Sequence, residues 1–216
     1  MKNQIFFSLA LLIGIAMVSC NNAPAGEKAK TETAKAVKEV EANKTFQVTE
    51  NSLVNWTGSK LGGQHIGTLN ISDGQIEVAG DKVVGGKFTI DINSLTDLDM
   101  KPGEGKEKLE GHLKSADFFD VANNPTSTFE ITEVKSAEEG APSVVTGNLT
   151  LMGVTKSITF PANIQVLPQG IAVETPKFTI NRTDFGMKYG SASFFDNLKD
   201  KAINDQVGLS ILVRAR

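Results

Sequence analysis

From Phe46 to the C-terminus, large apolar residues fall on every second position. A strand sends successive side chains to opposite faces, so period two predicts half-buried strands and argues against helices. Val54, Trp56, Gly58 and Lys60 share one face of the first strand, and His65, Gly67, Leu69 and Ile71 share one face of the second. The pattern continues through Phe88, Ile90 and Ile92; through Phe129 and Ile131; and through Val145, Gly147, Leu149 and Leu151. It ends with Ile158 to Val166, with Ile171, Val173, Phe178, Ile180 and Arg182, and with Val207 to Val213. Eight strands are predicted, mostly joined by hairpin-length turns, with Asp73-Gly74 forming a bulge in the second. The expected fold is an all-β, eight-stranded antiparallel up-and-down barrel. Closure removes sheet edges and leaves room for one small ligand. A two-sheet sandwich is the alternative, because alternation alone does not establish closure.

One passage breaks the period. In LEGHLKSADFFDVANNPTSTF, Leu109, Leu113 and Ala116 recur at helical spacing. This predicts one short helix in the connection after the third strand, ended by Asn123-Asn124-Pro125. Strand directions place connections 61–64, 94–125, 152–155 and 183–205 at one end of the barrel. Connections 79–82, 136–143 and 167–170 fall at the other. The helix therefore belongs to the end with the long connections, as a lid over a mouth. Lys60, His65 and Arg182 stand at strand ends near that mouth, in register with the inward face. A charge there is costly if dry, so it must meet water or an anionic partner. For Arg182 the expected structural partner is Asp184 or Asp99. His112 and Lys114, on the helix, are expected at the rim.

The N-terminal residues carry a different signal. Lys2 precedes an apolar run from Ile5 to Val18, too short to span a bilayer comfortably and suited to a cleavable signal peptide over residues 1–19. Met17-Val18-Ser19-Cys20 resembles a bacterial lipobox, which makes Cys20, the single cysteine, the expected lipidation site and membrane anchor. Residues 20–44 are rich in Ala, Lys, Glu and Thr and read as a solvated tether before the barrel domain at 45–216. Asn21 and Asn22 offer no acidic residue after the cysteine, so the outer membrane is the expected attachment, with the domain in the periplasm or at the surface. One cysteine excludes an internal disulfide, and two histidines leave little for a metal site. A net charge of −3 gives no surface for nucleic acid.

Five blocks, SLVNWTGSKLGGQHIGTL, GGKFTIDINSL, LEGHLKSADFFDVANNPTSTFEI, GNLTLMGVTKSITFPA and FTINRTDFGMKYG, together resemble the YceI family of lipid-binding proteins. The resemblance spans nearly all of residues 45–216. It implies a lipocalin-like barrel whose interior holds an isoprenoid or fatty-acyl chain, in a protein of the bacterial envelope. The bound lipid is then the expected ligand, with no other cofactor and no metal. By parity the apolar lining is Trp56, Leu69, Phe88, Ile90, Phe129, Leu149, Phe160, Ile164, Phe178, Ile180, Leu209 and Ile211. Gly58, Gly67, Gly147 and Ala162 are small inward residues that favour a cavity. Lys60, His65, His112, Lys114 and Arg182 are the head-group or rim candidates. A filled barrel serving as a structural or interaction lipoprotein is the alternative, and a homodimer is an open option. Enzymatic activity is not expected. There is no GxSxG elbow or Walker loop, and Ser115 and Asp117 stand at offsets from His112 that do not build a triad on one helical face.

Overall fold

A computed structural model describes residues 23–39, 41–136 and 141–216; the expected signal peptide and Cys20 lie outside the described residues. Three short strands come first: β1 (Glu27–Lys28), β2 (Lys30–Thr33) and β3 (Lys44–Gln47). Then β4 (Leu53–Lys60), β5 (Gly63–Ala79), β6 (Lys82–Asp97), β7 (Thr126–Lys135), β8 (Ser143–Leu151) and β9 (Val154–Leu167) each pair antiparallel with the next. β10 (Gly170–Glu174) pairs with β9, and β12 (Gln206–Ala215) pairs with β10, with β11 (Phe178–Asn181) and with β4. The last pairing closes the ring, giving the expected eight-stranded antiparallel barrel. Its core is the inward set, with Trp56 opposite Gly67 and Leu209, and Phe129 opposite Phe88 and Leu149.

The expected seventh strand is two strands. Pro176 falls in the break; it has no N–H for a ladder and belongs at edges or interruptions. Below the break β10 pairs with β9. Above it β11 pairs with β12 but with no part of β9 among the described pairings. The N-terminal segment occupies that gap. β1 runs parallel to β11, with Glu27 opposite Phe178, and β2 runs antiparallel to β9, with Thr31 opposite Ile158. Between them Ala29 is buried and donates its N–H to the Thr179 carbonyl at 2.8 Å. The predicted solvated tether is thus, over residues 27–33, a strap laid into the barrel wall. Unpaired strand edges supply the driving force, and backbone bonding does not require the apolar side chains the segment lacks.

Other boundaries shift too. The bulge in β5 lies between Ile71 and Asp73, just ahead of the predicted Asp73-Gly74. The third strand continues to Asp97, beyond the expected connection start at 94. The helix, α1, covers Lys106–Lys114; it starts before Leu109 and ends before Ala116, well short of Pro125. Ser115 ends it, adopting an extended backbone while its N–H and Oγ both donate to the His112 carbonyl. No residue of α1 is fully buried. Leu113 packs against the core, and polar bonds add to that docking: the Glu110 carboxylate accepts the Asp97 N–H at 2.8 Å and the Thr96 hydroxyl at 3.0 Å, while Lys106 Nζ donates to the Asp97 carbonyl at 2.6 Å.

Candidate ligand-binding site

Two adjoining cavities occupy the barrel and its mouth. The deep one has a volume of about 160 Å³, and the twelve side chains expected to face inward all line it. Its wall is apolar apart from Ser127, Thr175 and Arg182, with Trp56 contributing a largely apolar ring. A ladder of rings crosses it: Phe88 to Phe129 at 6.3 Å between centroids, Phe129 to Phe160 at 5.6 Å, and Phe160 to Phe178 at 4.6 Å. The glycines contribute unevenly to this space. A Cβ at Gly67 would run into the Trp56 ring and the Thr96 carbonyl, and one at Gly147 into the Phe129 ring. These two glycines make room for aromatic rings and leave no void, contrary to expectation. Gly58 alone among the three has open space above it and lines the outer cavity.

The outer cavity, about 270 Å³, lies at the mouth beneath α1. Trp56, Phe119, Arg182, Met187 and Val207 line both cavities and stand at their boundary. Lys60, His65, His112 and Arg182 line the mouth as expected, and Lys114 does not. Leu109, His112 and Leu113 take the inward helical face, which leaves Lys114 a further 100° around the helix. Met187 and Phe119 were absent from the sequence-derived lining. Both come from irregular segments, where no periodicity marks direction. The Trp56 indole N–H is a buried donor without a partner among the described residues, a polar handle at the boundary.

Arg182 belongs to a short 3-10 turn (Arg182–Phe185) and is only 3% exposed. Its partner is neither Asp184 nor Asp99. Nε donates to the Asn204 carbonyl at 3.1 Å, Nη1 to the Met187 carbonyl at 2.6 Å, and Nη2 to the Ile203 carbonyl and to Asp205 Oδ1 at 3.2 and 3.3 Å. Burial pushes its pKa below the ordinary guanidinium value, and the Asp205 charge opposes that shift. The side chain thereby ties the 186–205 loop over the barrel end.

The two histidines sit in different settings. His65 Nδ1 is 3.0 Å from Asp99 Oδ2 and 3.8 Å from Asp97 Oδ2. Burial acts to raise the Asp99 pKa, but the Ile66 N–H and His65 bonds outweigh it and hold the carboxyl below its ordinary value. His112 Nε2 is 3.0 Å from Asp117 Oδ2, and its ring meets Phe118 and Tyr189 edge-on. That pair forms because the chain turns back after Ser115. The Ser115 hydroxyl is committed to the His112 carbonyl and so is not set against the imidazole.

Apolar side chains crowd the outside of the same end. Leu61, Ile66, Leu98, Tyr189, Phe194 and Phe195 are all exposed. Lys188 Nζ stands 4.7 Å from the Phe194 ring centroid.

A closed antiparallel barrel with an apolar interior open at one end is a barrel of the lipocalin-like class. This chain belongs to the YceI-like family, whose domain model matches residues 40–215. A UPF0312 protein of Pseudomonas putida (strain W619) is 33% identical over 185 residues, covering 83% of this chain and 85% of its own length. Against a UPF0312 protein of Pseudomonas aeruginosa (strain LESB58), identity reaches 46% over 84 residues, but the alignment spans only 38% of that relative. Among solved structures, Burkholderia cenocepacia BcnA aligns with a TM-score of 0.61 at 21% identity, over 76% of this chain and 96% of that one. A polyisoprenoid binding domain from Saccharophagus degradans aligns at 0.55 and 16% identity, over 79% and 97%. At these identities the structural matches speak to the fold.

Proposed function

We propose that the protein binds one long apolar chain, an isoprenoid or fatty-acyl tail, along the barrel axis, with the ligand's polar end at the mouth. The observation that carries this reading is the continuous apolar wall of the two cavities, with Lys60, His65 and His112 joining the lining only at the outer one. Each buried methylene contributes about 0.8 kcal/mol, so ten would contribute ~8 kcal/mol before ordering costs, enough for micromolar affinity. The name of the Saccharophagus relative supports the same ligand class. The protein acts in the bacterial envelope as a carrier or store of this lipid, anchored to the outer membrane through a lipidated Cys20. The binding itself is non-covalent, with no catalytic step.

Mass spectrometry of an organic extract of the purified protein tests the binding: a stoichiometric apolar compound is expected. Added isoprenoid lipid should also change the fluorescence of Trp56, which lines both cavities. A second reading, a barrel acting as an interaction scaffold, draws on Gly67 and Gly147, whose positions are filled by rings. An empty extract together with unchanged fluorescence would favour that scaffold.

A further inference from the structure

We propose that His65, Asp97 and Asp99 form a binding site for one first-row divalent cation at the barrel mouth, with Zn²⁺ the best-matched ion. His65 comes from β5, Asp97 is the last residue of β6, and Asp99 follows two residues later. His65 Nδ1 and one oxygen from each carboxylate lie within 4.8 Å of one another. Bonds of about 2.0–2.2 Å to Zn²⁺ in tetrahedral geometry put ligand atoms ~3.3–3.6 Å apart. The two distances from His65 Nδ1, 3.0 and 3.8 Å, bracket that spacing.

The carboxylates are oriented as ligands are. Asp97 Oδ1 accepts the N–H groups of Asp99 and Met100 at 3.2 and 2.7 Å, and Asp99 Oδ1 accepts the Ile66 N–H at 2.7 Å. Backbone amides thus hold one oxygen of each acid and direct the other toward His65. Such outer bonds fix ligand orientation in metal sites.

The arrangement is incomplete without a further group. Asp97 is 0% exposed, and its Oδ2 has no hydrogen-bond partner among the described residues. A carboxylate oxygen buried without a partner is costly. Nδ1 carries at most one proton, and at 3.0 Å that proton belongs to Asp99. A cation would satisfy Asp97 and offset the repulsion between the acids. One imidazole and two carboxylates suit Zn²⁺ or Mn²⁺ better than Ca²⁺, which prefers oxygen alone. His65 lines the mouth, so a remaining coordination position would face the outer cavity and take water or an oxygen of a ligand's polar end. Only the last of these rests on the lipid-binding reading.

Chelator-stripped protein titrated with ZnSO₄ by calorimetry, in both delipidated and lipid-loaded form, tests the site. One ion per chain is expected, with Asp97→Asn and His65→Gln each weakening it by at least about 10-fold, and Glu133→Gln, which lines neither cavity, leaving it unchanged. Asp97→Asn keeps the oxygen that the two amides require, and the partly exposed His65 tolerates exchange, so circular dichroism should show both variants folded. No saturable uptake of Zn²⁺ or Mn²⁺ by the wild-type protein would overturn the proposal, and so would equal affinity in wild type and both variants. Lipid extraction is independent of this titration, so failure of either reading is seen separately.

Discussion

Phe160 and Phe178 stack face to face, 4.6 Å between centroids and 3° between ring planes, although the strands that carry them do not pair. The stack closes the interior where the strap closes the wall. Phe178 is 0% exposed. Phe178→Ala should therefore cost about 3–5 kcal/mol, the range for truncating a buried phenylalanine. Urea denaturation measures this, and a loss below about 1 kcal/mol would mean the ring is not part of the packed core.

The strap should be separable from the barrel. Ala29→Glu places a carboxylate where a buried methyl sits, and should release β1 and β2 while β4 to β9 stay paired. Amide exchange should rise at 156–159 and at Ala29, with 54–57 unchanged. Uniform exchange across all strands would instead show that the strap is required for the whole fold.

Acid should loosen the same strap slightly. The bonds from Lys30 and Lys35, at 2.7 and 3.2 Å, hold the Glu32 carboxyl below its ordinary value of 4.5. A depressed carboxyl pKa gives stability that is present above 4.5 and lost as pH falls through the lower folded value. Strap exchange should thus quicken on acidification below that ordinary value, and less so at high salt, where the exposed pairs are already screened. A Glu32→Gln variant should lose this pH response; retention of the full response would exclude Glu32 as its source.

Arg182 is committed to Asp205 and three carbonyls, which predicts a structural outcome for its removal. Arg182→Ala should destabilise the barrel by about 3–5 kcal/mol by stranding those partners. Affinity for charged and uncharged lipids should fall together. A variant that stays stable and loses only anionic lipids would make the arginine a head-group ligand.

The exposed rim should govern loading more than affinity. Replacing Phe194 and Phe195 with serine should change stability by no more than about 0.5 kcal/mol, as both are near half exposed. Transfer of lipid from vesicles should slow several-fold, while affinity for a short-chain, water-soluble analogue holds. Unchanged transfer would remove the rim from the loading route.

The barrel was legible because parity is local. Knowing that Trp56, Leu69 and Leu209 alternate with polar neighbours was enough to turn them inward, and the lining follows. The strap was not legible, because Glu27 to Thr33 bind through backbone groups that every sequence possesses. The limits of α1 were hidden for a related reason: Leu109 and Leu113 of the apolar stripe do face the barrel, but the helix starts at Lys106, where Glu110 and Lys106 make polar bonds to β6, and Ser115 ends it before Ala116. Gly67 and Gly147 were misread because parity gives a side chain's face but not the direction its neighbour's ring will lean. Asp97 escaped notice as a companion of His65 because β6 runs past the point where its apolar pattern fades.

The strap also bears on the proposed membrane anchor. Pro24 is already buried, beside Gly208 on the upper half of β12. Four residue steps lead from it back to Cys20, and at ~3.6 Å each they span about 14 Å at full extension. An anchor at Cys20 would therefore act as a pivot set close to the mouth. With such an anchor the barrel would tilt against the bilayer, the rim of Phe194 and Phe195 within reach of the lipid, and any carriage would be exchange with that one membrane.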